Sequence, residues 1–401
     1  MRLFVLTLLL AIYTLPLAAQ HPQEEVDLTQ MTFVRQTFVR NFYNLRKVVS
    51  QINMEGTDLM LPNSANLIVE SKNEAPTLTQ IGCTLEISSS SGTESTIRIG
   101  AFHPYLCYEA EFSDLSNNTD AGIIFYPNNG EGRSISVVYR KGEILAIANN
   151  SGEDNILGRK QIGSTENLHI RVQYTGVRFH IFHLRDNGNA DLLYSVENDM
   201  RSVESCITHS YGIYTKLPAG ESVTLCKAES ALTCGTGQAD PQIIQNVDGT
   251  PLIRDGKLYL CMTTRGFERI FDSYQGLYSL DLASYELRLE GALFFGKEDG
   301  LMYGFHATKV VYNPSTEEFM VMTTTHEDTH TLAYCSTKAD LLHGLHFLEC
   351  KELDFPHNYT RGHGFNTEDP DFFFDSEAGK WRLAYCALKD KSYVTYLCES
   401  D

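Results

Sequence analysis

Positive charge is scarce in this 401-residue chain. Its 32 Lys and Arg stand against 51 Asp and Glu, a formal net charge of -19, and no basic cluster breaks that sign. Such a surface repels a phosphate backbone, which excludes nucleic acid as a partner and favours neutral or cationic ones. Long apolar runs are missing after residue 17, so no membrane span is expected and the mature chain reads as soluble. Cys-x-x-Cys spacings are absent, which argues against a structural zinc site. Tryptophan occurs once, at Trp381 inside a strand-like run, so strong Trp stacking on a ligand is not expected.

The chain starts with Met1-Arg2, continues with an apolar run over 3–17 and closes on Ala18 and Ala19. That layout is a secretory signal peptide, residues 1–19, and places the protein in a bacterial periplasm or outside the cell. No cysteine follows the run directly, so a lipoprotein anchor is not indicated. Asn-x-Ser/Thr acceptors at Asn117, Asn149 and Asn358 would matter only in a eukaryotic secretory pathway. The chain has ten cysteines, of which Cys261, Cys335 and Cys386 sit inside apolar runs (LYLCMTT, LAYCST, LAYCALK) and read as small core residues. Cys226 and Cys234 flank a change of composition and are the better candidates for a bridge.

About 380 residues remain after the signal, enough for two domains with full cores. With 21 Tyr and 21 Phe among many Val, Ile and Thr, the composition is that of sheets. The lead segment 20–55 carries Val34, Phe38, Leu45, Val49 and Ile52 at helical intervals, while its near-duplicate TFVRQTFVR also reads as two short strands. Over 56–230 the text becomes short alternating runs broken by Asn, Gly, Asp and Ser, from YEAEF and AGIIFYP to HSYGIYT and SVTLCKA. This describes an antiparallel sandwich, and its pattern resembles concanavalin-like or laminin-G-like jelly rolls.

Over 231–401 a repeat takes over. PLIRDGKLYLCMTT, KVVYNPSTEEFMVMTT and DFFFDSEAGKWRLAYC each read as a strand, a polar turn and an aromatic opening a second strand, with Tyr259, Phe319 and Trp381 at equivalent places. That register sets Cys261 beside Val321 and Leu383. GLYSLDLASYELRLEGALFF and HTLAYCSTKADLLHGLHFLECKEL supply third and fourth strands of two blades, and SYVTYLCESD a third strand for the last. Blades bury their faces only against neighbours, so about two and a half of them need a missing C-terminal half.

These blades resemble the five-bladed propeller glycosidases of families 43 and 32, so the whole reads as all-β, a concanavalin-like sandwich followed by a partial five-bladed propeller. The resemblance implies acidic residues at the starts of the innermost strands. Two carboxyl groups across one sugar are what glycoside hydrolysis requires, one to donate a proton and one to attack or activate water. Asp248 is then the base and Glu368 the acid, with Asp369 and Asp240 (in ADPQII) as alternates. His306 departs from the family pattern, because it stands where an acidic residue is expected and supplies no fixed negative charge. Arg265, His306, His363 and Asn366 suit sugar hydroxyls, and Phe365 a pyranose face. EDPD at 368–371 is equally a turn favoured for backbone reasons; THEDTH at 325–330 invites a metal reading, but on a hairpin such a run is more often a solvated loop, so no metal ligand is assigned. No cofactor is required, and a structural calcium ion at the propeller centre stays open. The functional expectation is a glycoside hydrolase; the alternatives are a non-catalytic glycan-binding protein and an inactive truncated remnant.

Overall fold

The structure, a computed structural model, describes residues 45–52, 68–185, 189–235, 237–266, 272–326, 329–354, 359–360, 366–389 and 391–400. The signal peptide and most of the lead segment lie outside them. Among the described residues the chain is all-β, with one six-residue helix, Val203–Thr208.

Residues from Val69 to Thr233 form two antiparallel sheets. One runs in the order Ala190–Glu197, Arg178–Leu184, Leu168–Tyr174, Cys107–Ser113, Glu221–Thr233, Thr84–Ser89 and Thr77–Ile81. The other runs Glu153–Gln161, Glu143–Asn150, Arg133–Arg140, Asp120–Pro127, His209–Leu217, Thr93–Ala101 and Val69–Ser71. Strict alternation along strands such as Thr84–Ser89 turns Leu85 and Ile87 inward and Glu86 outward. The filling between the sheets is aromatic. Phe102, Tyr108, Phe125 and Tyr174 are all fully buried, with edge-on contacts such as Phe102–Tyr174 at 5.0 Å and Tyr108–Phe125 at 4.9 Å.

The helical reading of the lead segment does not hold at its end. Arg46–Ile52 is a strand, paired antiparallel with Glu221–Thr233. Tertiary pairing wins over periodicity because Arg46 closes a charged cluster: it bonds Glu109 at 2.8 Å and also Glu229. Glu109 is buried and also meets Arg171 at 2.5 Å and Lys227 at 3.1 Å. Burial alone would raise its carboxyl; the bond with His169 and the charges of Arg171, Arg46 and Lys227 outweigh it and hold the group far below the usual carboxylate range.

The Glu221–Thr233 strand runs past the boundary expected at 230, and the next strand opens at Gly237. Cys226 and Cys234, the candidate bridge, are both free thiols. From Gly237 onward, among the described residues, three larger sheets stack in chain order, beside a two-stranded pairing of Thr329–His330 with Tyr359–Thr360. The first runs Gly237–Ile243, Lys257–Arg265, Ser273–Asp281 and Leu287–Gly296; the second His306–Asn313, Glu318–Thr324, Leu332–Thr337 and Lys351–Glu352; the third Thr367–Asp375, Lys380–Lys389 and Ser392–Glu399. Leu277, Leu293, Val310 and Val321 share the core between the first and second sheets, and Met320, Met322, Phe372 and Tyr385 that between the second and third.

Two details differ from the repeat as read. Gly344–Glu349, expected in the second blade, instead pairs parallel with Leu287–Gly296 of the first sheet, and the second sheet's fourth strand is the two-residue Lys351–Glu352. The register of the second strands is also one residue off. The inner-strand pairing makes Cys261, Met322 and Ala384 equivalent, not Cys261, Val321 and Leu383. A one-residue slip exchanges the two faces of a strand, and accordingly Tyr259 and Phe319 face one another across the same core.

The first sheet buries both faces. Its far side, with Met262, Tyr278, Leu289 and Phe294, joins the sandwich core, and Tyr105 of the sandwich donates to Met302 O at 3.0 Å. The sandwich therefore stands against the first sheet where a propeller would set another blade. Among the described residues none of the sheets closes into a ring.

Candidate functional site

The three inner strands share one local distortion. Pairing with the second strand slips between Ala239 and Gln242, between His306 and Lys309, and between Glu368 and Asp371. At each slip two residues face one across the ladder, and the first of them is left-handed: Asp240 at φ 52°, Ala307 at 47° and Asp369 at 57°. Asp enters this region at small cost because its short polar side chain bonds locally, whereas Ala307 does so without that compensation.

A repeated threonine sets the spacing between sheets. Thr263 Oγ1 accepts the N–H of Ala307 at 3.0 Å and donates to Asp240 at 2.8 Å; its equivalent, Thr324 Oγ1, accepts the N–H of Asp369 at 3.1 Å. Ala307 and Asp369 are thus each tied to the sheet before, and Asp240 to its own second strand. Gly304 lets the chain pass close enough for this, since a Cβ there would lie 1.6 Å from Ser273 O.

Along these bulges runs a row of histidines. His306 Nε2 lies 2.6 Å from Ser273 Oγ of the first sheet, His306 and His326 have ring centroids 3.8 Å apart, and His326 and His330 4.8 Å. His330 Nε2 then reaches Glu368 Oε2 at 2.9 Å on the third sheet. Burial, followed by the charges of His306, His330 and Arg265, lowers the His326 pKa to about 2, so that ring is neutral. Glu368 also bonds Tyr393, which in turn bonds Asn366.

The two neighbouring carboxyls are pushed apart. Burial would raise Glu368, but the bonds from His330 and Tyr393 and the charges of His330 and His306 prevail and hold it below its ordinary value. Asp369 moves the other way, to about 6: partial burial of its carboxyl raises it first, then the charges of Glu368 and Asp240. Side by side, one carboxyl stays ionised near neutrality while its neighbour still holds a proton in mild acid, a division found in acid–base centres.

Of the residues expected from sequence, Glu368, Asp369, Asp240, His306, Arg265 and Asn366 meet here. Asp248 does not. It is exposed in a turn, where its Oδ1 accepts the N–H of Thr250 at 3.0 Å and its hydroxyl at 2.6 Å. The first sheet's inner strand is Gly237–Ile243, not the PLIR run that follows Asp248, because Ile253–Arg254 forms only a short hairpin with Lys257–Arg265. His363 and Phe365 lie outside the described residues, as do Glu327 and Asp328 of THEDTH. That motif's two histidines are nevertheless part of the row. Ser273, Thr263 and Tyr393 carried no signal in the sequence, since a lone hydroxyl at a strand end looks like any other. Among the described residues no group of three or more His, Cys, Asp or Glu side chains could hold a metal ion, and no helix is long and apolar enough to cross a membrane.

No protein-family model matches the chain, and no curated protein does. Solved structures similar to part of it include the carbohydrate binding module CBM66 from Bacillus subtilis (12% identity, 41% of this chain and 96% of that one, TM-score 0.31). Porphyranase B from Zobellia galactanivorans is similar at 9% identity over 46% of this chain and 92% of that one, with a TM-score of 0.34. The GH43 protein BlXynB from Bacillus licheniformis is similar at 13% identity over 39% of this chain and 34% of that one, with a TM-score of 0.31.

Proposed function

We propose that this chain is an exported carbohydrate-active protein whose inner-strand cluster is a glycoside hydrolase centre, built on three blades of a partial propeller. The observation that carries the reading is the pair of equivalent bulges presenting Asp240 and Asp369, with Glu368 beside the second. Asp369 holds its proton into the mildly acidic range and is the group to protonate a glycosidic oxygen. Asp240, bonded by Thr263, is the carboxylate to activate water or attack. The two sit at corresponding positions on the first and third sheets, with Ala307 at that position on the second. His330 and Tyr393 keep Glu368 ionised, so its charge sustains the proton on Asp369. Arg265, whose charge acts on His326, and Asn366, bonded to Tyr393, are the donors for sugar hydroxyls.

The test is release of new reducing ends by the full chain from a panel of plant and host polysaccharides. Turnover is expected in mild acid, with Asp369→Asn and Asp240→Asn each lowering it at least about a hundredfold. Activity unchanged in both variants would overturn the assignment. A second reading, binding without cleavage, is favoured by a polar groove of about 440 Å³ on one sandwich sheet, lined by Arg140, Lys216, Asn149, Asp154, Tyr214 and Ser136. Oligosaccharide capture on a glycan array with no new reducing ends, and its loss in Tyr214→Ala, would support that reading in place of the first.

A further inference from the structure

Cys335 and Cys350 stand opposite each other on neighbouring strands. Leu332–Thr337 pairs antiparallel with Lys351–Glu352, Ala333 facing Glu352 and Tyr334 facing Lys351. The same register, carried one residue further, brings Cys335 and Cys350 face to face. Leu353 N–H donates to Leu332 O at 2.8 Å, while Cys350 N–H turns away to Gly296 O on the first sheet at 3.0 Å. Bonded and non-bonded pairs alternate along an antiparallel ladder, so the cysteines occupy a non-bonded pair. There opposite Cα atoms approach to about 4.5 Å, inside the roughly 4.4–6.8 Å that a disulfide spans. Both are free thiols in this structure and are buried, at 8% and 4% exposure, in the apolar core between the first and second sheets. Contact with the Cys335 thiol, together with burial, pushes the Cys350 thiol well above its ordinary range, which places the two sulfurs side by side.

We propose that Cys335 and Cys350 form a disulfide when the chain folds in an oxidising compartment. One thiol, losing its proton, attacks a sulfur of a small-molecule or protein disulfide and expels one thiolate of that oxidant. The second cysteine, also deprotonated, then attacks the mixed disulfide and expels the other thiolate. The two cysteines are oxidised, the oxidant is reduced to two thiols, and the released protons balance them. Buried thiols exchange poorly, so the reaction precedes docking of the short Lys351–Glu352 edge strand. The bond closes the loop 335–350, which contains Gly344–Glu349, the strand paired with the first sheet. Closing it staples the first and second sheets together within their shared core.

The full chain, refolded in a glutathione redox buffer, alkylated and digested with trypsin without reduction, tests this. The tryptic peptides 310–338 and 339–351 each contain one cysteine of the pair. They are expected as one linked species, two hydrogens lighter than their sum, that is lost in Cys335→Ala and in Cys350→Ala but kept in Cys261→Ala, a buried thiol elsewhere in the same core. The urea midpoint of the wild type should fall on reduction, and that of Cys350→Ala should not. Recovery of both peptides as alkylated thiols from folded protein would overturn the proposal, as would linkage of either cysteine to a different peptide. The peptide map of the wild type decides the matter even if a variant fails to fold.

Discussion

Replacing Asp369 by Asn tests the electrostatics of the cluster without any substrate. Asparagine keeps the size of the side chain and, like aspartate, tolerates the left-handed backbone at φ 57°, so the substitution removes little but the titrating charge. The folded state raises the group from an ordinary 3.8 to about 6. Its contribution is therefore fully favourable below the unfolded pKa and is lost as pH rises through the folded one, above which the ionised carboxylate opposes folding. Two units at about 1.4 kcal/mol each set an upper limit of about 3 kcal/mol. Asp369 is largely exposed as a residue although its carboxyl is partly covered, and solvent screening reduces this to about 1 kcal/mol. Urea unfolding of wild type and Asp369→Asn is the assay, run at about pH 4.5 and about pH 8. The variant is expected to be the more stable by about 1 kcal/mol at the higher pH, with most of the difference gone at the lower. The same difference at both values, or a variant less stable at the higher pH, would refute the argument that Glu368, Asp240 and burial act on this carboxyl.

Other perturbations probe the frame around it. Glu368→Gln removes one of the charges that raise Asp369, so the carboxyl resonance of Asp369 should titrate lower by NMR than in the wild type. Gly304→Ala would force a methyl group against Ser273 O, and a loss of about 1–3 kcal/mol is expected in chemical denaturation. Glu109→Gln leaves the cations of Arg46, Arg171 and Lys227 around a neutral group and should cost about 3–5 kcal/mol at neutral pH. Glu109 has a depressed folded pKa, so its stabilisation is present above the ordinary carboxylate value and fades as pH falls through the lower folded one. Variant and wild type should thus converge in strong acid.

Much of this protein was legible in the order of its residues. Alternation of small runs such as SISVVYR and EILAIAN is a local property, and it marked strands wherever hairpins join neighbours in sequence. The repeat after residue 237 was visible for the same reason, and so were Glu368, Asp369 and Asp240, because Asp-Pro at a strand opening is a short-range signal. What depended on distant partners was not visible. Arg46–Ile52 became a strand through Glu109 and Glu229, far along the chain. The second strand of the first sheet sits one residue out of register with those of the other two, which puts Tyr259 and Phe319 on opposite faces of their sheets, and a sequence repeat aligned on aromatics contains no trace of that offset. Asp248 looked like a blade start and is a turn, since Asp serves both and only pairing separates them. The sequence by itself determined an all-β chain and which carboxyls to consider. The tertiary structure decided that Asp240, Asp369 and the histidines meet, because their proximity depends on the stacking of three sheets against a sandwich, and no local preference encodes that.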